Sequence, residues 1–170
     1  MKRLFLALTL SEADKLRVDK WRNSLSLHHE KQVAADNLHM TLVFLGATNA
    51  EQQSSIERFC QTIACTPITL ALTQLSYWQK PKILALTTDN IPQNLITLEH
   101  KLANYCQSIG FNKQHDKYRP HITLCRKAQS LIHHAPPKIL ITFDSFCLYE
   151  SINIDNTIHY VPFTCWQLTE

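Results

Sequence analysis

Glycine is nearly absent: the chain has two in 170 residues, Gly46 and Gly110. That excludes glycine-rich phosphate loops of the Walker or Rossmann kind, which need several glycines close together. Any phosphate bound here must be held largely by side chains. No apolar run approaches the roughly 20 residues of a membrane helix. The start, Met1-Lys2-Arg3 followed by Leu4–Leu8, has the outline of a signal peptide. Its apolar run stops at Thr9, Ser11 and Glu12 without a small-residue cleavage site, so it reads as a first β-strand and the expected location is cytoplasmic. No C-x-x-C pair occurs among Cys60, Cys65, Cys106, Cys125, Cys147 and Cys165, and no Cys/His set has zinc spacing. Six reduced thiols packed as small hydrophobes are therefore expected. A strong charge is missing too. A net charge of +3 and a pI near 8.5 allow one phosphate-bearing ligand but do not by themselves imply a broad nucleic-acid track.

What is present is a globular composition, with 45% hydrophobic and 18% charged residues. The length fits one domain, or one domain of two similar lobes. Lys2–Leu10 reads as a strand and Ser11 opens a helix, with Asp14 as a capping partner, running to about His28. Residues 28–37 read as a loop, and Leu38–Leu45 as a strand ended by Gly46. A second helix runs from Asn49 or Ala50 to about Ala64. Strands Ile68–Tyr77 and Lys82–Thr88 join around Trp78–Pro81. A third helix starts at Pro92 and runs through Ile109, with Gly110 at the left-handed position beyond it. After a polar loop at 111–118 come a short strand His121–Cys125, a loop Ser130–Pro137, and long strands Ile139–Tyr149 and Thr157–Leu168 around Asp155-Asn156. This order predicts two α+β lobes of similar build.

One short motif appears twice, at Leu38-His39-Met40-Thr41-Leu42 and Pro120-His121-Ile122-Thr123-Leu124. Residues i and i+2 of a strand share a face, so His39 lies beside Thr41, and His121 beside Thr123. The alternate residues Leu38, Met40, Leu42 and Phe44, and Ile122 and Leu124, point to a core. With 15 threonines and 9 histidines in the chain, roughly 0.16 matches to this patterned motif are expected by chance. Two occur, one in each predicted lobe. A single such His would read as a satisfied strand residue, but a pair is hard to dismiss. Two facing imidazoles can serve as acid and base near neutrality, and the hydroxyls can hold non-bridging phosphate oxygens. No metal or other cofactor is called for, and no carboxylate near either motif completes a facial triad.

Several neighbours are candidates. Arg126 can supply a fixed cation for phosphate, but its parity is opposite to His121 and Thr123. It reaches the site only if the strand ends or bulges after Leu124. Phe44 and Trp78 are candidates for base stacking; parity favours core packing for Phe44, while Trp78 at a strand junction is more open to a ligand. Tyr118 and Arg119 can line the mouth. His115, His133, His134 and His159 lack Thr partners and read as loop or strand residues.

The segments Asn37–Gly46 and Arg119–Arg126, with the opening Arg3–Leu8, resemble the signatures of the 2H phosphoesterase superfamily. Within it, the chain resembles the bacterial and archaeal RNA 2′,3′-cyclic phosphodiesterases, historically named 2′-5′ RNA ligases. The resemblance implies an α+β fold in which residues 1–170 form one bilobal domain. Each of two pseudo-symmetric lobes would carry an antiparallel sheet with helices outside, around a central cleft. It implies hydrolysis of an RNA terminal 2′,3′-cyclic phosphate to a 2′-phosphate, without metal or cofactor. His39 matches the general acid and His121 the general base. Thr41, Thr123 and Arg126 match phosphate-binding positions. The implied partner is an RNA cyclic-phosphate end or a small cyclic nucleotide, with no membrane; a monomer is expected, because a folded chain of this size is self-sufficient. Two alternatives stand beside it: ATP-independent, reversible 2′-5′ RNA ligation, and a non-catalytic RNA-end or nucleotide-binding module.

Overall fold

The structure, a computed structural model, describes residues 1–25, 27, 31–112, 116–135 and 137–169. Along them lie β1 (Lys2–Thr9), α1 (Glu12–Asn23), β2 (Lys31–Gln32), β3 (His39–Thr48), α2 (Ala50–Cys60), β4 (Ile68–Leu72), β5 (Gln74–Trp78), β6 (Ile83–Thr87), α3 (Gln93–Ser108), β7 (His121–Arg126), β8 (Ile139–Phe143), β9 (Ser145–Ile154) and β10 (Thr157–Gln167). The main sheet has the order β10-β9-β1-β3-β7-β6-β5, with β2 added beside β7, and β4 pairs with β8 in a separate sheet. Every pairing is antiparallel. The fold is α+β, as expected. Its halves meet where β3 and β7 pair at one position, Met40 opposite Ile122.

The helices cover one face of the sheet. Leu4, Leu6 and Leu8 of β1 bury themselves there with Met40, Leu42, Ile122 and Leu124, against Val18 of α1, Ile56 of α2 and Leu98 and Leu102 of α3. The opposite face of β1 carries a smaller cluster, Phe5, Ala7, Cys147 and Tyr149, with Tyr160 against it. This second cluster floors the site described below.

Helix ends follow local chemistry. The Ser11 hydroxyl accepts from the Asp14 amide at 3.1 Å and donates to its carboxylate at 2.8 Å. Asn49 and Gln52 form a reciprocal capping box at α2. Gly110 has φ +97°, and amides 111 and 110 close α3 on the carbonyls of Cys106 and Gln107. Helix α1 stops earlier than predicted, at Asn23, because the Ser24 hydroxyl and amide both turn back onto the Trp21 carbonyl. The predicted endpoint His28 lies outside the described residues, as do His115 and Pro136 of the predicted loops. Likewise α2 ends at Cys60 rather than near Ala64. The predicted loop 28–37 contains β2 and a 3-10 turn at Ala35–Asn37.

Other strand expectations need correction. The segment Ile68–Tyr77 is two strands, broken at Thr73, whose amide donates to the Thr87 carbonyl as the chain passes from the small sheet into the large one. Ile139–Tyr149 likewise breaks at Asp144, whose carbonyl accepts from the Leu168 amide. Strand β3 runs through Gly46 to Thr48; Gly46 takes φ +72° and keeps the strand going. The six thiols are not all free: Cys147 and Cys165 form a disulfide. They lie directly opposite in the β9–β10 ladder, which brings the sulfurs together. Cys60, Cys106 and Cys125 are buried thiols outside the disulfide, and Cys65 is a half-buried one.

Candidate active site

The single β3–β7 pairing decides where the two motifs fall. With Met40 opposite Ile122, antiparallel register sets His39 opposite Thr123 and Thr41 opposite His121. All four point away from the helix-covered face. Both imidazoles are held alike. His39 Nδ1 lies 2.6 Å from the Asn37 carbonyl, and His121 Nδ1 lies 2.8 Å from the Arg119 carbonyl. A carbonyl only accepts, so each ring carries its proton on Nδ1 and leaves Nε2 as the reactive nitrogen. His39 Nε2 is 3.1 Å from the Thr41 hydroxyl, which donates to it when the ring is neutral.

His39 sits on the aromatic floor. Phe5 is 5.0 Å from it between ring centroids, and Tyr160 meets it edge-on at 5.0 Å. Burial there pushes its pKa from the usual 6.5 to about 4; the Asn37 carbonyl opposes the shift, while His121 and Arg126 add to it. Below Thr41, the buried Tyr118 hydroxyl donates to the Thr41 carbonyl at 2.9 Å. Burial, reinforced by the Glu99 carboxylate, pushes the Tyr118 pKa up, so that donor stays protonated.

The parity argument set Arg126 and Phe44 apart from this face, and the structure brings both to it. In β7, Leu84 and Ala85 of β6 pair with Cys125 and Thr123, so Leu124 is an extra residue. This bulge reverses the alternation and turns Arg126 toward the site, where its charge acts on His39. In β3, Leu6 and Ala7 of β1 pair with Val43 and Thr41, making Leu42 the extra residue. Phe44 therefore leaves the core side: it is 50% exposed and lies 5.9 Å from the Phe5 ring. Core packing is the wrong reading for Phe44. A readable trace existed in the apolar doublets Leu42-Val43 and Leu124-Cys125, where strict alternation fails.

An open cleft of about 740 Å³ lies beside His121, lined by Thr41, Phe44, Trp78, Lys80, Tyr118 and Arg119 among others. Trp78 packs edge-on to His121 at 4.6 Å, and the Arg119 guanidinium lies 5.9 Å from the Trp78 ring. The cleft thus has aromatic faces and cations on one side of the His–Thr quartet. Among the described residues, no three His, Cys, Asp or Glu side chains gather as a metal-binding set. His133 and His134 are exposed loop residues and His159 is exposed on β10, all away from the cleft.

Comparison with known proteins agrees with this geometry. The family model described as LigT like Phosphoesterase matches residues 9–85. An Escherichia coli K12 protein named RNA 2′,3′-cyclic phosphodiesterase is 30% identical, with 99% of this chain and 98% of that protein covered. The chain belongs to the LigT-like phosphoesterases. A Methanocaldococcus jannaschii family member, also named RNA 2′,3′-cyclic phosphodiesterase, is 26% identical over 73% of this chain and 70% of its own. The crystal structure of E. coli LigT complexed with 3′-AMP superposes with a TM-score of 0.93 at 30% identity, covering 99% of each chain. The 2H phosphoesterase fold inferred from the two motifs is therefore the fold of this LigT-like chain.

Proposed function

We propose that this chain, as a single bilobal domain, hydrolyses the 2′,3′-cyclic phosphate at an RNA end to a 2′-phosphate, with His39 as acid and His121 as base. The observation that carries the reading is the matched tethering of the two rings. Each Nδ1–H is spent on the carbonyl two residues upstream, which leaves Nε2 as the nitrogen of each ring that can transfer a proton. In this reading His121 Nε2 removes a proton from water as its oxygen attacks phosphorus. The P–O3′ bond breaks, and His39 Nε2–H supplies the proton that O3′ needs. Thr41, Thr123 and Arg126 hold the non-bridging oxygens, where charge accumulates. Phe44 and Trp78 offer faces for the terminal base, near the cationic Arg119.

Burial leaves His39 neutral at pH 7 in the free enzyme. An acid role needs a proton there, and the substrate supplies the reason for it to stay. The phosphodiester anion sits against Nε2, offsets the repulsion from Arg126 and His121, and favours the imidazolium. Because one proton is shared by the pair, the singly protonated state is the active one.

The relatives' names and the nucleotide-bound E. coli structure support this substrate class. A cytoplasmic place of action fits such a substrate, and one chain carries both motifs, so a monomer suffices. Ligation is a second reading, favoured by one observation. The cleft at His121 is far larger than a water requires, so a 5′-hydroxyl RNA end can take the place of water.

The test is a short RNA ending in 2′,3′-cyclic phosphate, incubated with excess EDTA and no ATP. A 2′-monophosphate product is expected, and His39→Ala and His121→Ala should each lower kcat about 10²–10⁴-fold. A 3′-monophosphate, or a mutant that keeps most of the wild-type rate, overturns the assignment. Tight binding with no product points to a binding module. A joined product from added 5′-hydroxyl RNA points to ligation.

A further inference from the structure

The catalytic face continues past Phe44. On the side away from Trp78, a second cleft of about 480 Å³ is lined by Arg3, Phe44, Arg126, Asn153, Ile158 and Tyr160 among others. Its position follows from register. Arg3 is two residues before Phe5 on β1, so it shares the face on which Phe5 meets His39. Ile158 and Tyr160 pair with Asn153 and Ser151 across β9–β10, which extends that face outward. Phe44 lines both clefts, so the two are adjoining compartments of one surface.

We propose that this second cleft holds the nucleotide preceding the cyclic-phosphate end, so that the preferred substrate is an oligonucleotide rather than a mononucleoside cyclic phosphate. The inference rests on the cyclic phosphodiesterase reading and adds a subsite to it. A cyclic phosphate carries one negative charge, and Arg126 already faces the quartet that would hold it. Arg3 is a further exposed cation on the same wall, and neither guanidinium has a carboxylate partner among the described residues. The next anion along an RNA strand is the internucleotide phosphate. The remaining lining suits the attached nucleoside. Phe44 and Ile158 are 50% and 41% exposed, Tyr160 offers ring carbon, and Asn153 can both donate and accept a hydrogen bond. Cations interleaved with exposed rings are what a single-stranded nucleotide needs.

The experiment compares three substrates: uridine 2′,3′-cyclic phosphate, the uridine dinucleotide ending in 2′,3′-cyclic phosphate, and the same dinucleotide with an uncharged methylphosphonate linkage. Each is given to the wild-type chain, to Arg3→Gln, and to Lys2→Gln, which removes a charge paired with Glu150 elsewhere. The wild type should prefer the charged dinucleotide over the mononucleoside by roughly tenfold or more in kcat/KM, the worth of one charge-assisted contact. Arg3→Gln and the methylphosphonate linkage should each remove most of that preference, and Lys2→Gln should keep it. Equal kcat/KM for mononucleoside and dinucleotide, or a preference that survives Arg3→Gln, overturns the subsite while leaving the cyclic phosphodiesterase reading intact. Turnover of none of the three substrates overturns that reading, and the subsite falls with it.

Discussion

Asn37 fixes His39 through its backbone while being fixed itself through its side chain. Its carbonyl accepts from His39 Nδ1–H at 2.6 Å. Its carboxamide donates to the Ile158 carbonyl at 2.7 Å and accepts from the Tyr160 amide at 3.0 Å. The ring is thus tied to β10, across the full width of one half-sheet, rather than to its own strand alone. Asn37→Ala removes both side-chain bonds and lets the carbonyl drift. The expected result is a fall in kcat of roughly tenfold, with KM little changed. The Asn37 carbonyl raises the His39 pKa, so weakening it should also move the acid limb of the pH profile to lower pH. A KM effect alone, with kcat intact, would show that Asn37 does not position the ring.

The wild-type pH profile follows from the same group. In the free enzyme, kcat/KM tracks the singly protonated His pair. Lowering the pH through about 4 puts a second proton on the pair, at the buried His39, and no base remains. Activity should therefore persist at pH 5 and decline with an acid-limb midpoint near 4, well below the usual imidazole value of 6.5. Raising the pH removes the last proton of the pair and produces the second limb. Steady-state kcat/KM between pH 3.5 and 10 measures both. An acid limb near 6.5 would mean that His39 titrates as a solvated imidazole and that the aromatic floor does not desolvate it.

The quartet was legible in the sequence because it depends only on local alternation: His and Thr two residues apart must share a face wherever the strand is regular. What was not legible came from pairing between distant segments. The extra residues Leu42 and Leu124 are defined by pairing with β1 and β6; within β3 and β7 the doublets Leu42-Val43 and Leu124-Cys125 show that alternation fails but not which face the next residue takes. Phe44 and Arg126 changed faces for that reason. The long segments Ile68–Tyr77 and Ile139–Tyr149 read as continuous because each side of their breaks is good strand sequence. Only the separate β4–β8 pairing shows that Thr73 and Asp144 are crossing points. Asn37 was missed as an anchor because its partners lie 121 and 123 residues away.

The disulfide makes a prediction that composition did not. With Cys147 and Cys165 joined, the denatured, unreduced chain should take up four alkyl groups from iodoacetamide, and the reduced chain six. Mass spectrometry distinguishes the two directly. Six labels without reductant would show that the pair is unlinked. The bond closes a separation of 18 residues, so replacing both cysteines by serine should cost about 2–4 kcal/mol of unfolding free energy in denaturant titrations.

Arg126 tests the bulge itself. If Leu124 reverses the strand alternation, the guanidinium faces both the phosphate position and His39. Removing it then has two consequences that a solvent-directed arginine would not produce. Arg126→Ala should lower kcat/KM about 10–100-fold through lost charge-assisted contact with the phosphate, and Arg126→Lys should recover part of it, because a point charge replaces the planar fork. The second consequence has a definite sign. Arg126 pushes the His39 pKa down, so Arg126→Ala should move the acid limb upward from about 4, while Arg126→Lys should hold it near the wild-type position. A loss of activity with no movement of the limb would leave Arg126 as a remote contributor to affinity. Movement of the limb in the alanine variant but not in the lysine variant requires the charge to act on His39, and the extra residue at Leu124 explains how it comes to face that ring.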